Sequence, residues 1–131
     1  MKIIYRISDT GYNKVKPDYI DNEKCLANAV KTFGSKNFII LADNISDSTD
    51  KMISKYISSD QVTKVSVGHG AGTFNLALDK ALELDDEEIV YFLENDYLHK
   101  PDSKLLLEES FDIGASFVSL YDHPDKYLSP E

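Results

Sequence analysis

Glu94, Asn95 and Asp96 stand directly behind an apolar run, Ile89 to Leu93, that reads as a buried strand. Two carboxylates one residue apart at a strand end are a donor set for one hard divalent cation. Mg²⁺ or Mn²⁺ held by one or two carboxylates, by waters and by substrate phosphates is the usual arrangement. Such an ion would let an acidic chain accept an anionic diphosphate, and would stabilise the charge that develops when the diphosphate leaves. Taken alone, the same three residues also read as a solvated turn, because Asn and Asp are ordinary turn formers.

Other groups with chemical capacity lie elsewhere in the chain. Arg6 is an arginine inside an apolar strand; it reads either as a snorkelling side chain or as a clamp for a phosphate or nucleobase, which its planar fork suits. Gly68, Gly70 and Gly72 surround His69 at the entry to a helix, where a ligand could approach the backbone closely. The spacing "GHGAG" lacks the last glycine of the dinucleotide fingerprint and does not follow the first strand. Cys25, the one cysteine, borders an apolar helical stripe with no base identified nearby and reads as a small buried hydrophobe.

These groups need elements to position them. Five runs rich in Ile, Val, Phe and Tyr read as strands: Lys2–Ile7, Asn37–Ala42, Thr63–Gly68, Glu88–Glu94 and Ser116–Tyr121. Helical spacing separates them. Leu26, Ala29, Val30 and Phe33 share a face in Asn22–Phe33, with Asp21 or Asn22 as N-cap and Gly34 as the stop. Met52, Ile53, Tyr56 and Ile57 do so over Asp47–Ile57, and Phe74, Leu78, Ala81 and Leu82 in a third helix. A fourth begins at Pro101 and stops near Gly114. Regular alternation of strand and helix predicts an α/β fold, a three-layer, mostly parallel twisted sheet with helices on both faces. The nearly continuous apolarity of "IVYFL" places the fourth strand at the sheet centre. Ligands of such sheets collect outside the carboxyl ends of the strands. There the chain sets Asp9, then Asp43 and Asn44, then His69–Gly72, then Glu94–Asp96, then Asp122, His123 and Asp125.

The 131 residues, 42% of them apolar, suit one compact domain with a hydrophobic core. A net charge of -9 opposes nucleic acid and anionic membranes as general partners. The single cysteine excludes an internal disulfide and a cysteine-based zinc site. With no signal-like start and no apolar run approaching a membrane span, the expectation is a soluble cytoplasmic protein without a transmembrane segment.

The order of these features resembles the GT-A family of nucleotide-sugar-dependent glycosyltransferases. In that family an alanine-rich helix with an early Asn leads into an apolar strand ending in a D-x-D motif, which "NLALDKALELDDEEIVYFLEND" (Asn75 to Asp96) matches. The opening "IIYRISDTGYNKVKPDYIDNEKCL" and the closing "FVSLYDHPDKY" are similar to a smaller branch found in bacteria and large algal viruses. The resemblance implies that Arg6 and Asp9 line a nucleotide pocket and that Asp43, with Asn44 beside it, meets the base or ribose. Gly70, in the His69–Gly72 loop, and Asn75 would lie beside the nucleoside diphosphate. Glu94, Asn95 and Asp96 would serve the sugar-ribose region and the metal, Asp96 being the closest metal contact and Glu94 a second. His123 and Asp125 would sit on the acceptor side. The motif departs from the family in having Glu at its first acidic position. Complete members also run well beyond 131 residues, so the expectation is the nucleotide-sugar-binding half of such an enzyme.

Two functional classes follow. One is glycosyl transfer from a nucleoside-diphosphate sugar, a UDP-sugar in the reading preferred here, to an acceptor hydroxyl, with Mn²⁺ or Mg²⁺ and with Asp122 or Asp125 as the late carboxylates available as a base. The other is a non-catalytic α/β module that binds a metal or nucleotide. A phospho-acceptor receiver is disfavoured, since the first strand is followed by "SDT" rather than an acidic pair and the fifth by "YDHPD", with no Lys at the corresponding spot.

Overall fold

The structure, a computed structural model, describes residues 1–9, 16–121 and 123–128. The chain forms two compact units, Met1–His99 and Lys100–Glu131.

In the first unit the strands β1 (Lys2–Ser8), β2 (Phe38–Asp43), β3 (Val62–Val65) and β4 (Val90–Glu94) alternate with the helices α1 (Asn22–Phe33), α2 (Asp47–Ser54) and α3 (Gly70–Leu82). All three strand pairings are parallel, and the order across the sheet is β3-β2-β1-β4. The first two crossovers step in one direction and the third returns past β1. Right-handed connections then require α3 to lie on the face opposite α1 and α2. The contacts agree. Ile4 of β1 and Leu41 of β2 pack with Ala77 of α3, flanked by Ile39, Val90, Phe92, Leu76 and Ala81. On the other face Tyr5 meets Phe38 at a ring distance of 6.0 Å, and Phe33 of α1 meets Tyr91 at 5.3 Å. The α/β fold with helices on both faces of a parallel sheet is therefore present, and the sheet is parallel throughout.

The helix ends follow the sequence closely. Asp21 caps α1 by accepting the Lys24 amide at 2.7 Å, and Gly34 ends it at φ 83°. A left-handed residue there is what glycine tolerates without a Cβ penalty. Ser46 caps α2 through the Thr49 amide. That helix stops at Ser54, short of the expected Ile57, although Ile57 still donates its amide to Ile53 and is buried.

Two expectations are corrected. The strand β4 lies at one edge of the sheet, and β1 and β2 are central. Continuous apolarity reports that both faces of a strand are covered, and Tyr91 against Phe33 and Phe92 against Phe74 satisfy that. It does not report lateral neighbours. Ser116–Tyr121 is not a strand: among the described residues it pairs with none, and Phe117 is 96% exposed. Propensity alone does not make a strand without a ladder to join. In the second unit the described residues form α4 (Ser103–Asp112), entered after Pro101 and followed by Gly114 at φ 93°, and a short 3₁₀ turn at Pro124–Lys126. No helix among the described residues is long and apolar enough to cross a membrane.

The core makes a plain prediction. Ile4 is fully buried between β2 and α3, so Ile4→Ala should cost about 2–5 kcal/mol in urea unfolding, whereas Ile113→Ala, at an 87% exposed position, should stay within about 0.5 kcal/mol.

Candidate functional site

Parallel strands bring their carboxyl ends to one rim. At that rim the strand order reverses between β1 and β4, the connections on either side leading away in opposite directions, which opens the crevice where ligands of such sheets bind. Ser8 and Asp9 leave one side of it, and Glu94, Asn95 and Asp96 leave the other. Asp43 ends β2, on the far side of β1 from β4, so the ends of β2 and β4 lie about 10 Å apart, two strand spacings.

Side chains alternate between faces, and Arg6 projects toward α3 with Ile4. Its Nη1 donates to the Gly70 carbonyl at 2.9 Å and to Thr73 Oγ1 at 3.2 Å. Its Nη2 donates to Glu94 Oε1, and its guanidinium carbon lies 5.3 Å from the centre of the Phe74 ring. The fork expected to clamp a phosphate or base is thus closed on protein groups, tying β1 to the end of β4 and the first turn of α3. One donor is left over: Arg6 Nε is buried without a partner among the described residues.

The glycine loop now has a structural reason. His69 caps α3 by accepting the Gly72 amide on Nδ1 at 3.0 Å. A Cβ on Gly72 would come within 2.3 Å of Val67 Cγ1 and 2.7 Å of His69 Cε1, so the loop closes only around a bare Cα. Gly70 contributes the carbonyl that Arg6 grips. Asn75 is exposed on the second turn of α3.

Asp43 is only 5% exposed and accepts the amides of Val67 at 2.7 Å and Gly68 at 2.9 Å. Asn44, at φ 48°, accepts the Ser66 hydroxyl and donates to Asp43. Together they shape the loop leading to His69. Asp9 accepts the Ser46 amide and, at 2.5 Å, the Thr49 hydroxyl. Burial pulls the Asp9 carboxyl upward, but these hydrogen bonds outweigh it and hold the group below the usual carboxylate range.

The acids of the motif part company. Glu94 stays on the α3 face with Arg6, whereas Asp96 acts on Tyr5 and Cys25, which belong to the α1 face. Between them Asn95 donates to Asn22 Oδ1 at 2.6 Å and to the Ser8 carbonyl at 3.4 Å, bridging β4, β1 and α1. Asp96 Oδ1 is buried with no hydrogen-bond partner among the described residues, as is the Tyr5 hydroxyl. Burial first, then the nearby Cys25 and Asp96, push the Tyr5 phenol up. Burial likewise raises the Cys25 thiol, in keeping with an inert core residue.

A divalent cation finds a partial fit. Among the described residues no three His, Cys, Asp or Glu side chains converge on one point. The Asp96 oxygen, without a partner among the described residues, suits an ion, and Glu94 has one oxygen engaged by Arg6. His123 and Asp125 belong to the second unit, where His123 Nδ1 accepts the Asp125 amide at 3.3 Å and its ring stacks on Tyr121. Asp122 lies outside the described residues.

Sequence reasoning missed a cluster around His99. Its Nε2 lies 2.9 Å from the Tyr91 hydroxyl, and Asn28 of α1 bonds its backbone on both sides. The signal was faint: a Tyr on the α1 face of β4 and an Asn among the apolar positions of α1.

Searches of family models, of curated proteins and of solved structures return no match to this chain.

The Asp9 contacts yield a pH prediction. Its folded pKa lies below the unfolded value of about 3.9, so its contribution is complete above roughly pH 5 and is lost as pH falls through that value. Asp9→Asn should lower stability near neutrality and flatten the loss between about pH 5 and 3, read from urea midpoints across that range.

Proposed function

We propose that the crevice between the ends of β1 and β4 binds a nucleoside-diphosphate sugar, preferably a UDP-sugar, for metal-dependent transfer of the sugar to an acceptor hydroxyl. The observation that carries this reading is the buried oxygen of Asp96, without a partner among the described residues, beside the switch point of a parallel sheet. Buried carboxylate oxygens find partners, and one without a protein donor points to a ligand.

The residues divide the work as follows. Asp96 would hold Mg²⁺ or Mn²⁺, and the ion would supply positive charge that stabilises the departing diphosphate. His69 and its carbonyl take up the amides of Gly72 and Thr73, which leaves the first amides of α3 to favour an anionic group nearby. Arg6 fixes Glu94 and that first turn relative to each other, so the donor meets a formed surface. Glu94, half exposed and held through one oxygen, suits acceptance of a sugar or ribose hydroxyl better than coordination. His123 and Asp125 would sit on the acceptor side, as the resemblance implies, and Asp122 or Asp125 would be the late carboxylate available as a base.

The rival reading is a non-catalytic α/β module that binds a nucleotide or a metal. It is favoured by one observation: Asp9, Asp43 and Glu94 are all engaged by protein donors, as in a scaffold. Calorimetric titration of UDP with Mn²⁺ should show binding that Asp96→Ala weakens at least about tenfold, a loss of about 1.4 kcal/mol, while thermal unfolding stays cooperative. Absence of binding to folded wild-type protein overturns the donor reading. Binding without UDP release from a UDP-sugar across an acceptor panel selects the module.

A further inference from the structure

The loop from Asn95 to Leu98 is anchored at both ends to α1. At its start Asn95 bonds to Asn22; at its close Asn28 grips His99. The His99 amide donates to Asn28 Oδ1 at 2.7 Å, and Asn28 Nδ2 donates to the His99 carbonyl at 3.1 Å. One carboxamide thus satisfies both backbone groups of one residue, as a neighbouring strand would.

The ring of His99 seals the contact. It meets Phe33 edge-on at 5.0 Å and Tyr91 at 5.7 Å, with Nε2 on the Tyr91 hydroxyl. Nδ1 is buried and has no partner among the described residues. In the neutral ring with its proton on Nε2, that N–H donates to the Tyr91 oxygen and Nδ1 keeps a lone pair rather than an N–H in need of an acceptor. A second proton would have to place an N–H on Nδ1 with no acceptor, and a charge among aromatic rings.

We propose that Asn28 and His99 form a clasp that positions the Asn95–Leu98 loop, and with it the Asp96 carboxylate, and that the clasp closes only around an uncharged imidazole. Its functional part rests on the donor-site reading; the clasp itself does not. From β4 the titratable group facing His99 is Tyr91, whose phenol burial, and then Tyr97, push up to about 12, so it stays neutral over the relevant range. From α1 come Phe33 and Asn28, neither of which ionises. Burial pulls the His99 imidazole down, with no charged neighbour contributing. A folded pKa below the unfolded value of about 6.5 means that the clasp is intact above that pH and opens as pH falls through it toward the lower folded value. Asn28 and His99 act as positioning residues.

The test is an NMR titration of the ligand-free chain from pH 8 to 5, following the three histidine rings, the Asn28 side-chain amide and the backbone amides of 95–99. His99 is expected to titrate below the ordinary imidazole value of about 6.5, and the Asn28 and loop signals to move with it. In Asn28→Ala the loop amides should already occupy their low-pH positions at pH 8. Titration of His99 without any response of Asn28 or the loop, or at or above the ordinary imidazole value of about 6.5, overturns the clasp. Donor binding is read separately: between pH 7.5 and 5.5 the UDP–Mn²⁺ affinity of the wild-type chain should show a loss that His99→Gln does not share. Equal pH dependence in the two proteins removes the functional part. If wild-type protein binds no UDP at either pH, the donor reading fails and the ligand-free titration still decides the clasp. Should Asn28→Ala not fold, the wild-type titration and His99→Gln carry the decision.

Discussion

A guanidinium set into the interior of a sheet has to find partners, and those that Arg6 finds fix the geometry of the rim. Its side chain is only 14% exposed, and an uncompensated charge so placed would cost several kcal/mol. The nearest available acceptors are the Gly70 carbonyl, the Thr73 hydroxyl and the Glu94 carboxylate. Meeting that demand draws the end of β4 and the head of α3 to the end of β1. The ring of Phe74 completes the enclosure and rests in turn on Phe92.

The same logic governs the acids. In a chain of net charge -9, carboxylates gathered at one edge repel each other unless each has its own donors. Asp43 has the amides of Val67 and Gly68, Asp9 has Ser46 and Thr49, and Glu94 has Arg6. Each pairing also shapes backbone: Asp43 turns the chain from β3 toward the cap of α3, and Asp9 ties the exit of β1 to the start of α2. Asp96 is the exception, with one oxygen lacking such a donor among the described residues. Fewer of the rim's acidic groups are left without protein donors than its composition suggests.

Much of the architecture was legible because it follows from local periodicity. Leu26, Ala29 and Phe33 predicted the buried face of α1, and Asp21 and Gly34 its ends. The four strands of the sheet emerged from runs of β-branched and aromatic residues, and their parallel arrangement from alternation with helices. What failed was lateral: nothing in "IVYFL" tells an edge strand with two covered faces from a central one, and nothing in "SFVSLY" tells whether a ladder partner exists. At the site, sequence placed the acids at strand ends but not their allocation. Whether Glu94 faces a ligand or Arg6 depends on residues 88 positions apart meeting across β1 and β4. The joining of Asn28 to His99, 71 positions apart, is equally non-local.

The burial of Cys25 has a practical corollary. Its sulfur sits in a fully enclosed position beneath α1, with its ionisation disfavoured, and it is the sole thiol in the sequence. Maleimides and disulfide reagents require an accessible thiolate. A cysteine engineered onto the surface would consequently be the only reactive handle on the folded chain, so fluorophores or spin labels can be attached at a chosen point without first deleting the native one.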